Sequence, residues 1–397
     1  MSDKFDIVIA GAGAVGATTA LALARQGWRI ALLDARAHAL PWQAESYDLR
    51  VVALTWASEQ FLRALGVWDG IVLRRVSPYT HMRVWDGHGS GLVEFDAADV
   101  AQENLGHIVE LSALESSVNA ALAAHKNVSI LRACRAEQFE QRDDGVTVRL
   151  SSGATLSATV LIAADGAQSA LRDSAAIALQ EHDYDHYALV AQLHCEKPHQ
   201  RTAYQCFTEH GPLAFLPLRD AQACSIVWSQ TPAQTERVLQ LPKGEFELAV
   251  AQAIEQQLGA VELRSARQVF PLKMRHADHY VAERLVLLGD AAHTMHPLAG
   301  QGLNLSLADV REFCSIAEQL KLRGLDLGLR VNLRPFERRR RGENTAMLFS
   351  VGALKSVFER RDSASVLSRN IGLNVVNASA PLKRFFIRQA MGLHKRS

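Results

Sequence analysis

The stretch Phe5–Asp34, FDIVIAGAGAVGATTALALARQGWRIALLD, decides the fold. Phe5–Ala10 reads as an apolar strand that runs into Gly11-Ala-Gly13-Ala-Val-Gly16. A helix rich in alanine and leucine follows to Gln26, and Gly27 suits its left-handed stop. A second strand, Arg29–Leu33, ends at Asp34. Strand, glycine turn, helix, strand and acid together form the βαβ dinucleotide fingerprint. Gly11 allows the tight turn, Gly13 allows close approach of a pyrophosphate, and Gly16 lets the helix lie near the strand. Asp34 stands about 20 residues on, where an acid accepts a hydrogen bond from a ribose 2′-hydroxyl. That hydroxyl is free in NAD and in the ADP half of FAD, so the motif does not choose between them.

Two later stretches repeat the pattern of a buried strand ending in an acid. Val286–Asp309, VLLGDAAHTMHPLAGQGLNLSLAD, starts with consecutive apolar residues, and Gly289-Asp290 places a carboxylate at the strand's carboxyl end. Ligands of open α/β sheets bind at that edge. Beyond Pro297, Gly300 and Gly302 let the backbone come close to a ligand. Leu303–Leu320 then has helical periodicity. A loop opening a helix offers free N–H groups and a positive dipole end, suited to a diphosphate or a developing anion. Val160–Ala164 ends similarly at Asp165-Gly166, with Ser169 placed to cap a following helix. Between these stretches, 41–53 has mixed polarity and contains Arg50. Met82–Asp86 and Leu92–Phe95 read as a hairpin, Ser112 and Glu115 as a capping box, and Asp144-Gly145 as a hairpin turn.

The middle of the chain is β-rich over Leu189–His194, Thr202–Thr208, Leu213–Pro217 and Cys224–Ser229, with helical periodicity only over Phe246–Leu258. It reads as a second, antiparallel sheet. Phe207, Phe215, Pro217, Val227, Trp228 and Phe270 lie along it, either as core or as the lining of an apolar aromatic pocket. The last ~75 residues read as helical and basic. The run Arg338–Arg341, flanked by Glu337 and Glu343, reads as a solvated helix face. Ser379 and Pro381 suit an N-cap and first helical position. Leu382, Phe385, Phe386, Met391 and Leu393 then share one side, among Lys383, Arg384, Arg388, Lys395 and Arg396. Such an end suits either an anionic membrane surface or docking on the protein itself.

Composition narrows the function classes. The 397 residues hold two or three domains' worth of mass and a large core. A net charge of +1 gives no global field for nucleic acid. No apolar run reaches the ~18–20 residues that span a bilayer. The amino terminus has no basic segment of a secretory signal. Five cysteines without CxxC spacing read as reduced core residues in the cytoplasm, with no metal site.

The stretches GAGAVG…D, AADGAQSALR and GDAAHTMHPLAGQGLN, in this order, resemble the FAD-dependent aromatic hydroxylases, the single-component flavoprotein monooxygenases. HPLAGQGLNLSLAD is similar, more narrowly, to the ubiquinone-biosynthesis hydroxylases. DLRVVALTWASEQFLRALGVW, AFLPLRD, CSIVWS, SARQVFPL and IRQAMGL resemble their 2-polyprenylphenol hydroxylase branch. The resemblance implies an α/β fold. A Rossmann-like FAD-binding domain with a parallel sheet is expected over 1–75, 98–180 and 280–323. An interleaved antiparallel-sheet substrate domain is expected over 76–97 and 181–279, and a helical C-terminal region over 324–397. Gly11, Gly13, Val15, Gly16 and Asp34 are expected to hold the ADP part of FAD. Arg36 is expected near the adenosine, Arg50 near the diphosphate or ribityl chain, Asp165 near the diphosphate, and Asp290 on the ribitol. Pro297, Gly300, Gln301, Gly302, Leu303 and Asn304 are expected to pass the isoalloxazine. Phe207, Phe215, Pro217 and Val227 are the candidate substrate pocket. Leu111, where the family often has Asn, and Ser306, where glycine is usual, depart from the pattern.

The implied reaction is hydroxylation of the ring of a polyprenylated phenol. NADPH or NADH reduces the flavin, and a C4a-hydroperoxide formed with dioxygen delivers the oxygen. Backbone donors after Gly300 suit the anionic reduced ring, and an apolar sheet excludes water. The cofactor carries the hard chemistry, so no catalytic side chain is expected, and His293 and His296 read as supporting residues. The alternatives are a later substrate such as a demethoxyubiquinone, a non-catalytic flavin-containing subunit of a biosynthetic assembly, and an NAD-dependent dehydrogenase. The resemblance also suggests homo-oligomerisation and peripheral contact with the inner membrane face through the basic C-terminus.

Overall fold

A computed structural model describes residues 5–295, 302–360 and 362–393. Ile7–Ala10 lies inside a six-stranded sheet. It pairs in parallel with Ile30–Asp34 on one side and Val160–Ala163 on the other. Val128–Arg132 and Leu285–Leu287 extend the sheet in parallel, and Val281–Ala282 closes one edge as an antiparallel hairpin. Every residue of the four strands Ile7–Ala10, Ile30–Asp34, Val160–Ala163 and Leu285–Leu287 is buried, as their near-continuous apolar sequences demand of a sheet covered on both faces. Each Ile, Leu or Val so placed contributes about 1.5–3 kcal/mol. Parallel pairing has a further consequence. The chain leaves Ala10, Ala163 and Leu287 at the same edge of the sheet.

A nine-stranded sheet runs from His293–Thr294 through Gln268–Ala277, the long strand Leu179–Cys195, Ala223–Gln230, Gly211–Pro217, Thr202–Thr208 and His81–Asp86 to Leu92–Asp96, with Val261–Leu263 beside Leu179–Cys195. It is antiparallel except where Thr202–Thr208 runs parallel to His81–Asp86. Helices Pro232–Gln240 and Lys243–Ala253 accompany it, where the sequence showed periodicity only over Phe246–Leu258. The first of them is set by its ends. The Thr231 hydroxyl accepts from the Gln234 N–H, and Pro232 opens the first turn.

The register separates the four candidate pocket residues. Phe215 stands opposite Ile226, while Val227 stands opposite Ala214, so Phe215 and Val227 point to opposite faces. Phe215 packs with Trp228, Phe246 and Val250 in the core under the helices. Phe207 points the other way and stacks on Phe358, ring centroids 3.5 Å apart. Val227 packs beside Ala188, Leu272 and Met274. Pro217 pairs with Cys224, in step with Phe215. The four therefore do not line one chamber.

Val51–Leu54, Gly106–Glu110 and Val76–Tyr79 form a small antiparallel sheet. The expected capping box at Ser112 is absent. The helix Leu111–Leu122 begins one residue after its strand, and the N–H of Ser112 donates to the distant Asp48 carboxylate. The hairpin turn near Asp144 is Asp143-Asp144, with Gly145 already paired to Arg142. All five cysteines are free and buried.

The last part of the chain is the three helices Arg330–Glu359, Ser363–Ala378 and Ala380–Ala390. Ser363–Ala378 covers the sheet edge formed by Leu92–Asp96. Asn370, Asn374 and Asn377 stand on one helix face, and their side-chain oxygens accept from the N–H groups of Gly91, Leu92 and Glu94, the last two at 3.1 Å. Beside them the Arg369 guanidinium donates to Asp86 at 2.6 Å, with both groups buried. Gly91 leaves no room for a side chain there, since a Cβ on it would lie 2.5 Å from the Asn370 oxygen and 2.8 Å from the Asn370 Cα. The terminal helix divides its apolar residues instead of showing them on one side. Ile387 and Met391 pack on Ala97 and Leu105, while Leu382, Phe385 and Phe386 are exposed. Ser379 makes no side-chain cap there. Among the described residues, no helix is long and apolar enough to cross a membrane.

Candidate functional site

The three acid-bearing turns meet at the shared sheet edge. Gly11 has φ +101°, and a Cβ on it would lie 2.2 Å from the carbonyl oxygen of Ala164 and 3.1 Å from Cα of Asp165. Gly16 is closer still, since its Cβ would sit 1.8 Å from the Gly11 carbonyl oxygen. Gly289, with φ +60°, abuts Val15 and Ser306. Arg172 ties the second turn to the third by donating to the Ala291 carbonyl at 3.3 Å. Ser169 caps its helix, as its sequence position suggests.

Gly13 behaves differently from its neighbours. A Cβ on it would meet only Glu115 Oε1, at 3.7 Å, so protein packing does not require glycine there. Gly13 also caps the helix Ala14–Arg25 with no side chain. The N–H groups of the first turn thus face an open cradle, which is the arrangement that fits a diphosphate.

Asp34 is buried, and its carboxylate is already engaged. Its Oδ1 accepts from the N–H and Nε of Arg36, and its Oδ2 accepts from Arg132 at 2.8 Å. Arg36 also donates to Glu115 at 2.9 Å and to the carbonyl of Ala12 at 3.0 Å, inside the glycine turn. A carboxylate offers about four acceptor positions, and Arg36 Nη2 takes the fourth weakly at 3.5 Å, so a ribose hydroxyl reaching Asp34 must displace that guanidinium contact. Neither Glu115 nor Arg132 stands out from the sequence as a site residue. Glu115 looked like a cap residue, and Arg132 lies 98 residues from its partner.

Arg50 is exposed, and its backbone is fixed by Asp48 and Leu111. Arg75 holds the preceding loop by donating to the carbonyls of Gln43, Ala44 and Ser46 and pairing with Glu110. Leu111 packs against the main core. Asp165 and Asp290 reach the surface, yet the surrounding protein displaces enough water to push both carboxyls above their ordinary pKa, with His293 and Arg275 partly offsetting this for Asp290. Pro297, Gly300, Gln301 and His296 lie outside the described residues. Gly302 and Leu303 open the helix Gly302–Leu322. The Asn304 side chain is committed to protein. Its oxygen accepts from Thr55 N–H and Ser58 Oγ, and its amide donates to Ala53.

Behind these turns lies a buried polar network. His293 bonds Asp309; Arg340 donates to Asp309 at 2.7 Å and to Asn344; Asn344 reaches the Tyr280 hydroxyl; and that hydroxyl bonds His276 at 2.9 Å. Arg340 belongs to the run that read as a solvated face, but only Arg338 and Arg339 are exposed. Burial, then the nearby Arg341 and His293, pull the His276 pKa down to about 4. A histidine kept neutral in the fold and protonated when unfolded stabilises fully above pH ~6.5, and that contribution fades between pH ~6.5 and 4. The expected difference between wild type and His276→Gln in urea denaturation shrinks by up to about 3 kcal/mol over that window. Equal pH slopes for the two proteins would contradict this.

Known proteins supply the family. A family model described as FAD binding domain matches residues 4–324. The chain is 33% identical over 389 residues to the 3-demethoxyubiquinol 3-hydroxylase of Escherichia coli, covering 98% of each chain. It is 34% identical over 391 residues to the ubiquinone hydroxylase UbiL of Rhodospirillum rubrum, covering 98% of this chain and 90% of that one. The chain belongs to the FAD-dependent ubiquinone-biosynthesis hydroxylases. Its fold is that of the p-nitrophenol 4-monooxygenase PnpA of Pseudomonas putida DLL-E4, with a TM-score of 0.81, 19% identity and 100% coverage of both chains. The protein is thus an FAD-dependent aromatic monooxygenase. The narrower expectation of a 2-polyprenylphenol substrate needs correction, because one of these relatives is named for 3-demethoxyubiquinol and the other for ubiquinone, neither for a 2-polyprenylphenol.

Proposed function

We propose that the protein hydroxylates the ring of a demethoxyubiquinol-type substrate, with NAD(P)H and dioxygen as co-substrates. One observation carries this reading. Three turns converge on an uncapped helix terminus within a chain that corresponds end to end to a 3-demethoxyubiquinol 3-hydroxylase. Bound FAD supplies the oxygen-transfer chemistry. The residues of the chain supply binding and exclusion. The first-turn N–H groups after Gly13 take the diphosphate, Arg36 and Asp34 meet the adenosine side, and Asp165 and Asp290 border the middle of the cofactor. The apolar group of Val227, Ala188, Leu272 and Met274 belongs to the sheet proposed to receive the substrate.

The substrate's polyprenyl tail favours contact with a bilayer. Exposed Leu367, Ile371, Val375, Phe385 and Phe386, beside Arg384 and Arg388, support a peripheral contact of the C-terminal helices with anionic lipid.

Purified protein loaded with FAD is expected to consume NAD(P)H and oxygen and to hydroxylate a short-chain demethoxyubiquinol. Cells lacking the protein are expected to accumulate the demethoxy intermediate. Accumulation of a prenylphenol lacking an earlier hydroxyl would replace this reading with the 2-polyprenylphenol one. Retained flavin that no reductant bleaches would favour a non-catalytic subunit.

A further inference from the structure

The turn that carries Asp290 touches the helix Gly302–Leu322 twice, one helical turn apart. Gly289 abuts Ser306, and His293 bonds Asp309. The first contact is steric. The second is a buried polar pair, and Asp309 is 1% and His293 2% exposed.

A carboxylate in that position needs compensation. Burial pushes the Asp309 carboxyl up, but His293 and Arg340 together hold it below the ordinary carboxylate range. An ionised carboxylate only accepts, so the Nε2 of His293 must donate to it. Arg340 is contributed by Arg330–Glu359, a helix outside the sheet edge where the three turns meet. Asn344 and Tyr280 complete the enclosure, with Arg341 and His276 next to it. The polar chain therefore runs from the C-terminal region to the residue three places after Asp290.

We propose that His293 and Asp309 are positioning residues, which fix the Asp290 turn against the helix Gly302–Leu322 and so set the affinity for FAD. The Arg340 guanidinium keeps Asp309 ionised for this task. Both side chains are engaged with protein, His293 with Asp309 and Asp309 also with Arg340 and Asn344. The inference rests on the assignment of Asp290 to the flavin site.

The test uses full-length apoprotein, titrated with FAD by quenching of flavin fluorescence, with apoprotein melting measured in parallel. His293→Leu removes the donor to Asp309, whereas His293→Gln retains one. His293→Leu is expected to weaken FAD binding at least tenfold and to alter the visible band of the bound flavin. His293→Gln should stay within threefold of wild type. Asp309→Asn should resemble His293→Leu. A pair that only holds the fold would lower the melting temperature and leave the dissociation constant unchanged, and that result overturns the proposal. Failure of His293→Leu to fold also overturns it, since the pair would then serve the fold. Failure of wild-type apoprotein to bind FAD would instead remove the cofactor reading beneath it.

Discussion

Gly16→Ala yields a protein that neither folds nor turns yellow with FAD, whereas Gly13→Val folds and stays colourless. The two glycines lie three residues apart in one motif, so the contrast is sharp. At Gly16 the added carbon would sit 1.8 Å from the Gly11 carbonyl oxygen and 3.3 Å from the Ala164 side chain. Backbone cannot yield as a flexible side chain can. The helix must lift off its strand, at a cost of about 3 kcal/mol or more. At Gly13 the nearest atom to an added carbon is Glu115 Oε1, at an ordinary contact distance of 3.7 Å, and the backbone is extended with φ −71°. The fold therefore tolerates a side chain there, but the anion approaching the helix terminus meets it. A loss of at least about 100-fold in FAD affinity is expected, equivalent to about 2.7 kcal/mol. Circular dichroism separates the two failures, and flavin titration measures the second. Full FAD retention by Gly13→Val would move the diphosphate away from this turn.

Arg369→Ala is the second large effect. Asp86 is 1% exposed and pairs with Arg369, itself 6% exposed. Removal of the guanidinium leaves an uncompensated buried carboxylate, which costs about 3–5 kcal/mol. Arg369 also donates to the carbonyls of Phe358 and Arg360, so the join between two C-terminal helices loosens as well. Urea denaturation gives the size of the loss. Limited proteolysis should then cut between 360 and 380 before it cuts the parallel sheet. A change below 1 kcal/mol would mean that water reaches Asp86 in the native protein.

How much of this was legible follows from where each constraint is written. Gly11, Gly16 and Gly27 announce themselves because the backbone at those points excludes other residues, so the residue type encodes the geometry. The strands of the parallel sheet are similarly plain, since burial on both faces leaves continuous apolar runs. The capping box at Ser112 failed for a local reason. The right spacing was present, but the strand continued to Glu110, and the first-turn N–H found a carboxylate 64 residues away. Phe215 and Phe207 look alike in sequence because both are aromatic and strand-borne. Only pairing register shows that they face opposite ways, and a shift of one residue reverses every such assignment. Arg340 looked like its neighbours because a basic run hides which of its members turns inward. The position of Asp34 suggests a carboxylate open to a ligand, whereas Arg132, far along the chain, already holds it.

The asparagine row on Ser363–Ala378 has a consequence for how the chain is made. These amides imitate a neighbouring strand, and they end a border that could otherwise recruit a second polypeptide. Gly91 precedes its partner Asn370 by 279 residues. At translation rates of about 5–20 residues per second, that hairpin waits roughly 15–60 s for its cover. During that interval the nascent protein carries an adhesive rim, and chains released before Asn370 is made should clump, although the parallel sheet is already complete.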